Sequence, residues 1–235
     1  LADQGVPGAQ MIIPITFMVI VGTVFVSALG SPFLASRLGI SGEQPPSLLL
    51  IGGPAWALAM GGAMREVGAE VRVWTEDEDE TKAAEEVDLV AFGGPLDPHF
   101  GVAQSVIDEL SAVALVSEDD TLNQLLSAEF AASYEPDQVY RLRSPVDAAP
   151  IVSSAATPLF DDLSDSVEIE RRVSTGEKMK IFLPGEPLPA EALEIASVRR
   201  RSGAIPPRVR LASSVTGSLV SPDNTVIALV PAGSA

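Results

Sequence analysis

The chain has 235 residues, no cysteine, a single histidine (His99) and a formal net charge of −17. Without cysteine there are no disulfides or thiolate metal centres, and one histidine excludes a zinc site built on a histidine cluster. The acidic surplus falls almost wholly in the first 160 residues, with 6 Lys/Arg against 22 Asp/Glu, which argues against nucleic acid as a partner because phosphate binding needs a basic face.

The length allows one or two domains. Opening on Leu1 rather than Met, the chain reads as the C-terminal end of a longer protein. No charged residue occurs between Asp3 and Arg37, and Met11–Leu29 reads MIIPITFMVIVGTVFVSAL. About 20 apolar residues cross a hydrocarbon core of about 30 Å. This run lacks the polar stripe of a core helix and the basic n-region of a signal peptide. Pro14 and Gly22 are tolerated in a bilayer helix. One transmembrane helix is therefore expected, and Arg37 places its C-terminal side in the cytoplasm. Ser41–Ser47, SGEQPPS, reads as a linker.

Leu48–Ile51 is a continuous apolar run, as expected for a strand buried on both faces of a parallel sheet. Gly52-Gly53-Pro54 forms a turn, Ala55–Val67 a helix capped at Gly68, and Glu70–Trp74 a second strand. This β-α-β unit fits the start of a Rossmann-type domain. Val87–Phe92 is a third strand ended by Gly93-Gly94-Pro95, followed by a helical pattern at Gln104–Leu110, a strand at Ala112–Val116, a helix at Thr121–Tyr134 and a strand at Gln138–Leu142. The alternation predicts a parallel sheet covered by helices. Beyond a small-residue linker at Pro150–Ala156, strand-like runs at Ser166–Val173, Met179–Leu183, Arg208–Ala212 and Thr225–Val230 suggest a small β-rich domain. The expected divisions are thus 1–40, 41–149 and 150–235.

In the dinucleotide fingerprint G-x-G-x-x-G, the three glycine positions carry Gly52, Pro54 and Ala57. The first glycine is kept, the second is replaced by a residue without an N–H, and alanine is an accepted third. Glu76 and Asp77 follow the second strand, where a carboxylate accepts ribose hydroxyls; they also open the run EDEDE, which reads equally as a solvated loop. Gly52, Gly53, Trp56, Glu76, Asp77 and Gly93 are the candidate cofactor-binding residues, for NAD(H) or an adenine nucleotide. Glu118-Asp119-Asp120 lies at the carboxyl end of a strand, with Asp120 the expected helix N-cap. Asp161, Asp162 and Asp165 lack the spacing of a calcium loop. His99, in LDPHF, has no nucleophile placed around it. Arg199-Arg200-Arg201, with Arg208 and Arg210, is the only basic cluster; it reads as solvated surface or as a contact to lipid headgroups or to the acidic domain.

The segment ITFMVIVGTVFVSALGSPFLASRLGI resembles the last membrane helix of NhaP-type monovalent cation:proton antiporters. LLLIGGPAWALAMGGAMREVGAEVRVWT is similar to the start of the TrkA-N domain, the N-terminal domain of regulators of K+ conductance, and AVALVSEDDTLNQLLSAEFAASY to its fourth strand and following helix, with Asp119, Asp120 and Asn123 in the acidic-pair-then-Asn pattern. SPDNTVIALV resembles the closing strand of the C-terminal domain that often follows. The resemblance covers about residues 10–145. It implies a cytoplasmic domain that biases K+ or Na+ exchange for H+ in the cell membrane, partnered by the bilayer, by upstream transporter helices and by a second copy, and acting as a regulator rather than an enzyme. Pro54 departs from the family's phosphate turn. The alternatives are a membrane-tethered NAD(P)-binding oxidoreductase, although Tyr134 and Tyr140 lack lysines at helical spacing, and a ligand-free interaction domain.

Overall fold

The computed structural model describes residues 14–26, 45–94, 110–142, 156–160, 163–200, 207–213 and 217–231. Residues 14–26 form a helix, α1, whose side chains are exposed, Ile15, Phe17 and Phe25 among them. Among the described residues no helix is long and apolar enough to cross a membrane. The rest of the expected span, 11–13 and 27–29, lies outside the described residues, as do the expected helix over 104–109, His99, and Asp161 and Asp162.

Residues Gln44–Ala235 form one compact unit with two sheets. The first has six parallel strands in the order β3-β2-β1-β4-β5-β6. These are β1 (Ser47–Ile51), β2 (Glu70–Thr75), β3 (Val90–Gly93), β4 (Ala112–Leu115), β5 (Val139–Leu142) and β6 (Thr157–Leu159). Every residue of β1 is buried, because the strand lies centrally and both its faces are covered. Leu48 and Leu50 join the core beneath helix α2 (Ala55–Glu66), whereas Leu49 and Ile51 join Val113, Leu115, Leu126 and Phe130 under helix α4 (Asp120–Phe130). Strand β2 alternates instead: Val71, Val73 and Thr75 are buried and Arg72 and Trp74 half-exposed.

The second sheet is antiparallel, in the order β7-β10-β8-β9, from β7 (Lys178–Phe182), β8 (Leu193–Arg199), β9 (Arg208–Leu211) and β10 (Thr225–Val230). Ile195, Val209, Leu211, Ile227 and Leu229 share one core cluster with Trp56, Met60 and Met64 of α2. Helix α2 is thus covered by both sheets, which explains its composition. Its small residues let the layers approach: a Cβ on Gly61 would meet Leu89 Cδ1 at 2.9 Å. Polar ties join the same layers. Arg200 donates to Val67 O at the C-terminal end of α2 (2.8 Å), where a cation complements the helix dipole, and Arg208 pairs with Asp137. Of the three readings of the arginine cluster, these two residues fit contact with the acidic domain.

Two expectations are corrected. The alternation in VEIERRV suggests a strand, but Leu163–Ser174 is helix α5. Ile169 is fully buried and Val173 partly so, one helical turn apart, while Val167 is exposed; Glu168 and Arg171 pair at i,i+3, which stabilises a helix and not a strand. The acidic run at Glu76–Glu80 is a loop only over Glu76 and Asp77: Glu78–Glu86 forms helix α3.

Tyr140 on β5 is fully buried, and the loss of solvent around its hydroxyl pushes its pKa above 10.0. In the unfolded chain this group ionises from about pH 10, while in the folded chain it stays neutral. The unfolded state then binds fewer protons, so stability falls as pH rises through that range. Urea midpoints measured from pH 9 to 11 should decline more steeply for the wild type than for Tyr140→Phe; parallel declines would refute this.

Candidate functional site

In open parallel sheets, ligands bind at the carboxyl ends of the strands where the order reverses. Here the reversal lies between β1 and β4, which both pair with opposite halves of the sheet. The residue after β1 is Gly52, at φ +94°, a region that side chains rarely enter. Its N–H donates to Trp74 O (2.8 Å). A Cβ there would stand 2.6 Å from both Cα and N of Ser117. This glycine therefore lets the ends of β1, β2 and β4 converge.

The next residues form the turn into α2. Pro54 is the N-cap of α2, in extended conformation (φ −60°, ψ 147°), and no side chain caps the helix. Gly53 N–H donates to Glu80 Oε2 (2.8 Å), and the Thr75 hydroxyl donates to the same oxygen (2.5 Å). A phosphate turn of this fold offers backbone N–H groups to an anion. In this chain, Pro54 has no N–H, and Gly53 gives its own to a carboxylate of the chain itself.

Glu80 is placed there by α3. Asp77 is the N-cap of α3, its Oδ1 accepting from Asp79 N (2.7 Å) and Glu80 N (3.4 Å). An acidic N-cap followed three residues later by Glu is the capping-box pattern, in which that Glu accepts from the N-cap N–H. Here the Asp77 N–H donates instead to Thr75 Oγ1 (3.1 Å), which leaves the Glu80 carboxylate for the turn.

Across the crevice, the segment after β4 is held by its own polar groups. Ser117 Oγ accepts from Asp119 N (3.1 Å), and Asn123 Nδ2 donates to Ser117 O (2.7 Å). Asp119, and not Asp120, is the N-cap of α4, accepting from Thr121 N and Leu122 N. Asp120 opens the helix proper and lies 3.9 Å from the buried Arg141. The space enclosed is about 250 Å³. Ile51, Trp74 and Leu122 supply apolar wall; Thr75 and Ser117 supply hydroxyls; Glu76, Asp77, Glu80, Glu118 and Asp119 supply carboxyl groups. No Lys, Arg or His among the described residues lines it. Among the described residues no group of three or more His, Cys, Asp or Glu is arranged to hold a metal ion.

Of the six residues picked from the sequence, Gly52, Glu76 and Asp77 line this crevice, and Gly53 lies at its turn. Trp56 does not. It is 3% exposed and packs edge-to-face on Phe160, with ring centroids 5.4 Å apart. Gly93 ends β3 beside Thr75 and is not part of the lining. Glu80, Thr75, Ser117 and Leu122 were not singled out. For Glu80 the capping-box spacing from Asp77 was the available signal.

No protein-family model matches the chain, and no curated protein matches it. Among solved structures it is similar to a putative alcohol dehydrogenase from Thermotoga maritima (13% identity, TM-score 0.37, covering 59% of this chain and 39% of that one). It is also similar to an imine reductase from Pseudomonas sp. (14% identity, TM-score 0.28, 58% and 41%) and to AibC (16% identity, TM-score 0.34, 57% and 39%). The chain spans about two fifths of the length of each. Two of the three are named as a dehydrogenase and a reductase, against the expectation from the sequence of a chain that is not an enzyme. At such identities and TM-scores the likeness carries no activity across to this chain.

Proposed function

We propose that the chain is a module of the dinucleotide-binding fold class that responds to an adenine nucleoside or nucleotide, placed at the end of a monovalent cation:proton antiporter. The observation that carries the ligand half is the crevice at the β1/β4 reversal, with an apolar wall of Ile51, Trp74 and Leu122 facing Glu76 and Asp77 at the end of β2. A base seats against such a wall, and carboxylates accept ribose hydroxyls. The transporter half rests on the resemblance over residues 10–145 and on the apolar helix 14–26 that precedes the α/β unit. In this setting residues 1–40 lie in the cell membrane beside upstream helices, and residues 41–235 lie in the cytoplasm and pair with a second copy. The ligand acts by preferring one of two transporter populations.

Thermal melts of the full chain in detergent, with NAD, NADH, ATP, AMP and adenosine, test the ligand half. A binder raises stability by RT ln(1 + [L]/Kd), about 2.7 kcal/mol at 100 Kd; no rise with any compound sinks it. Cation-driven proton movement in vesicles carrying the complete coding frame tests the transporter half, which fails if neither K+ nor Na+ moves protons.

A second reading, a membrane-tethered NAD(P)-linked oxidoreductase, is favoured by the strand order β3-β2-β1-β4-β5-β6, the order of dinucleotide-binding sheets. It requires NADH or NADPH among the binders and loss of their 340 nm absorbance with a carbonyl or imine acceptor. Nicotinamide binding without such turnover leaves the first reading in place.

A further inference from the structure

We infer that Glu80 is a built-in occupant of the phosphate turn, so that the crevice takes an uncharged adenine nucleoside in preference to its phosphates. This rests on the reading of the crevice as a nucleoside or nucleotide site and narrows it. Within Gly52–Pro54 the Gly52 N–H is taken by Trp74 O and Pro54 has none, so Gly53 carries the remaining N–H, and the Glu80 carboxylate accepts it at 2.8 Å. The same oxygen takes the Thr75 hydroxyl at 2.5 Å. The fit is close: a Cβ on Gly53 would lie 3.1 Å from Glu80 Cβ and 3.2 Å from Oε2. A phosphate must therefore displace the carboxylate before it reaches the Gly53 N–H.

Among the described residues of the lining no cation would compensate an arriving anion, and the carboxyl groups of Glu76, Asp77, Glu118 and Asp119 line the crevice together with Glu80. Like charges at close range in a partly desolvated cleft repel strongly. The same carboxyl groups favour a ligand rich in O–H and N–H donors, which a nucleoside's ribose hydroxyls and exocyclic amine supply. Size agrees with this choice. About 250 Å³ lies just below the roughly 300–1,000 Å³ of pockets that enclose drug-sized ligands, which is the scale of a nucleoside. The diversion of Glu80 has a local cause as well, because Thr75 Oγ1 takes the Asp77 N–H that a capping-box Glu would accept.

The test is calorimetric titration of the full chain in detergent micelles with adenosine, AMP, ADP and NADH, for wild type, Glu80→Gln and Glu80→Ala, each checked for wild-type circular dichroism. Glu80→Gln removes the charge and keeps the shape; Glu80→Ala also frees the Gly53 N–H. The expected result is adenosine bound at least tenfold more tightly than AMP by the wild type, with the gap cut to threefold or less in Glu80→Gln and closed or reversed in Glu80→Ala. AMP bound as tightly as adenosine by the wild type overturns the inference and leaves the nucleoside or nucleotide site standing. An unchanged preference in both variants overturns the role of Glu80. No binding of any compound to any variant overturns the site itself, and the inference with it.

Discussion

Replacing Gly52 by alanine is expected to lower the melting temperature by about 4–20 °C, from a cost of about 2–5 kcal/mol at about 2–4 °C per kcal/mol for a unit of this size. Two effects add. A φ of +94° holds an L side chain in a region that costs about 1–2 kcal/mol. The new Cβ would also stand 2.6 Å from the Ser117 backbone, and backbone cannot rotate away as a side chain can, so overpacking adds about 1–3 kcal/mol. The displacement would reach Val116 N, which donates to Ile51 O (2.9 Å), and Ser117 O, which accepts from Asn123. Gly53→Ala is the control. Its Cβ would come nearest to Glu80, 3.1 Å from Cβ and 3.2 Å from Oε2, so the neighbour needs to give by only a few tenths of an ångström and the expected loss is about 1 kcal/mol. Equal melting temperatures for the two variants by circular dichroism would show that the first glycine is not needed for strand convergence.

The two middle strands of the parallel sheet were legible because each is written as a continuous apolar run: Leu48–Ile51 and Ala112–Leu115 are buried on both faces, which a central strand tolerates. The turn at Gly52 was legible for the same kind of reason, since Gly there answers a backbone demand. Short amphipathic pieces were not. VEIERRV satisfies alternation over Val167, Glu168, Ile169 and Glu170, yet Ile169 and Val173 also sit one helical turn apart, and packing against α2 decides between the two periods. Helix α3 was hidden by its charge: EDEDE reads as solvated loop unless Asp77 is taken as an N-cap, whose worth appears only in the bonds to Asp79 N and Glu80 N. Strand β8 mixes Glu194 and Ser197 with buried Ile195 and Val198, so its pattern never reaches a clean period. The partnership of Glu80 with Gly53 could not be read from the sequence at all. It links residues 27 positions apart and exists only because β1 and β2 run side by side and deliver α3 over the turn.

Trp56→Ala should cost about 3–5 kcal/mol, the range for removing a buried large aromatic, while leaving the affinity of the folded chain for its ligand unchanged. Sequence position sets Trp56 between the altered phosphate turn and Ala57, so it reads naturally as a site residue. Helix geometry decides otherwise. Trp56 is the second residue of α2 and packs inward with Ala57 and Met60 rather than toward the crevice. There it meets Phe160, which is held at φ +58° after β6 with its N–H donating to Ala212 O (3.0 Å). The left-handed backbone of Phe160 is tolerated because that ring pair and that hydrogen bond fix it together, and removal of the indole leaves the strain with less to offset it. The loss should therefore fall at the larger end of the range, and Trp56→Phe, which keeps a ring against Phe160, should recover about half of it. Urea unfolding of the three proteins measures the stabilities, and titration with adenosine measures the site. A Trp56→Ala protein with wild-type stability and weakened adenosine binding would place the indole in the crevice and refute its role as the wedge between the layers.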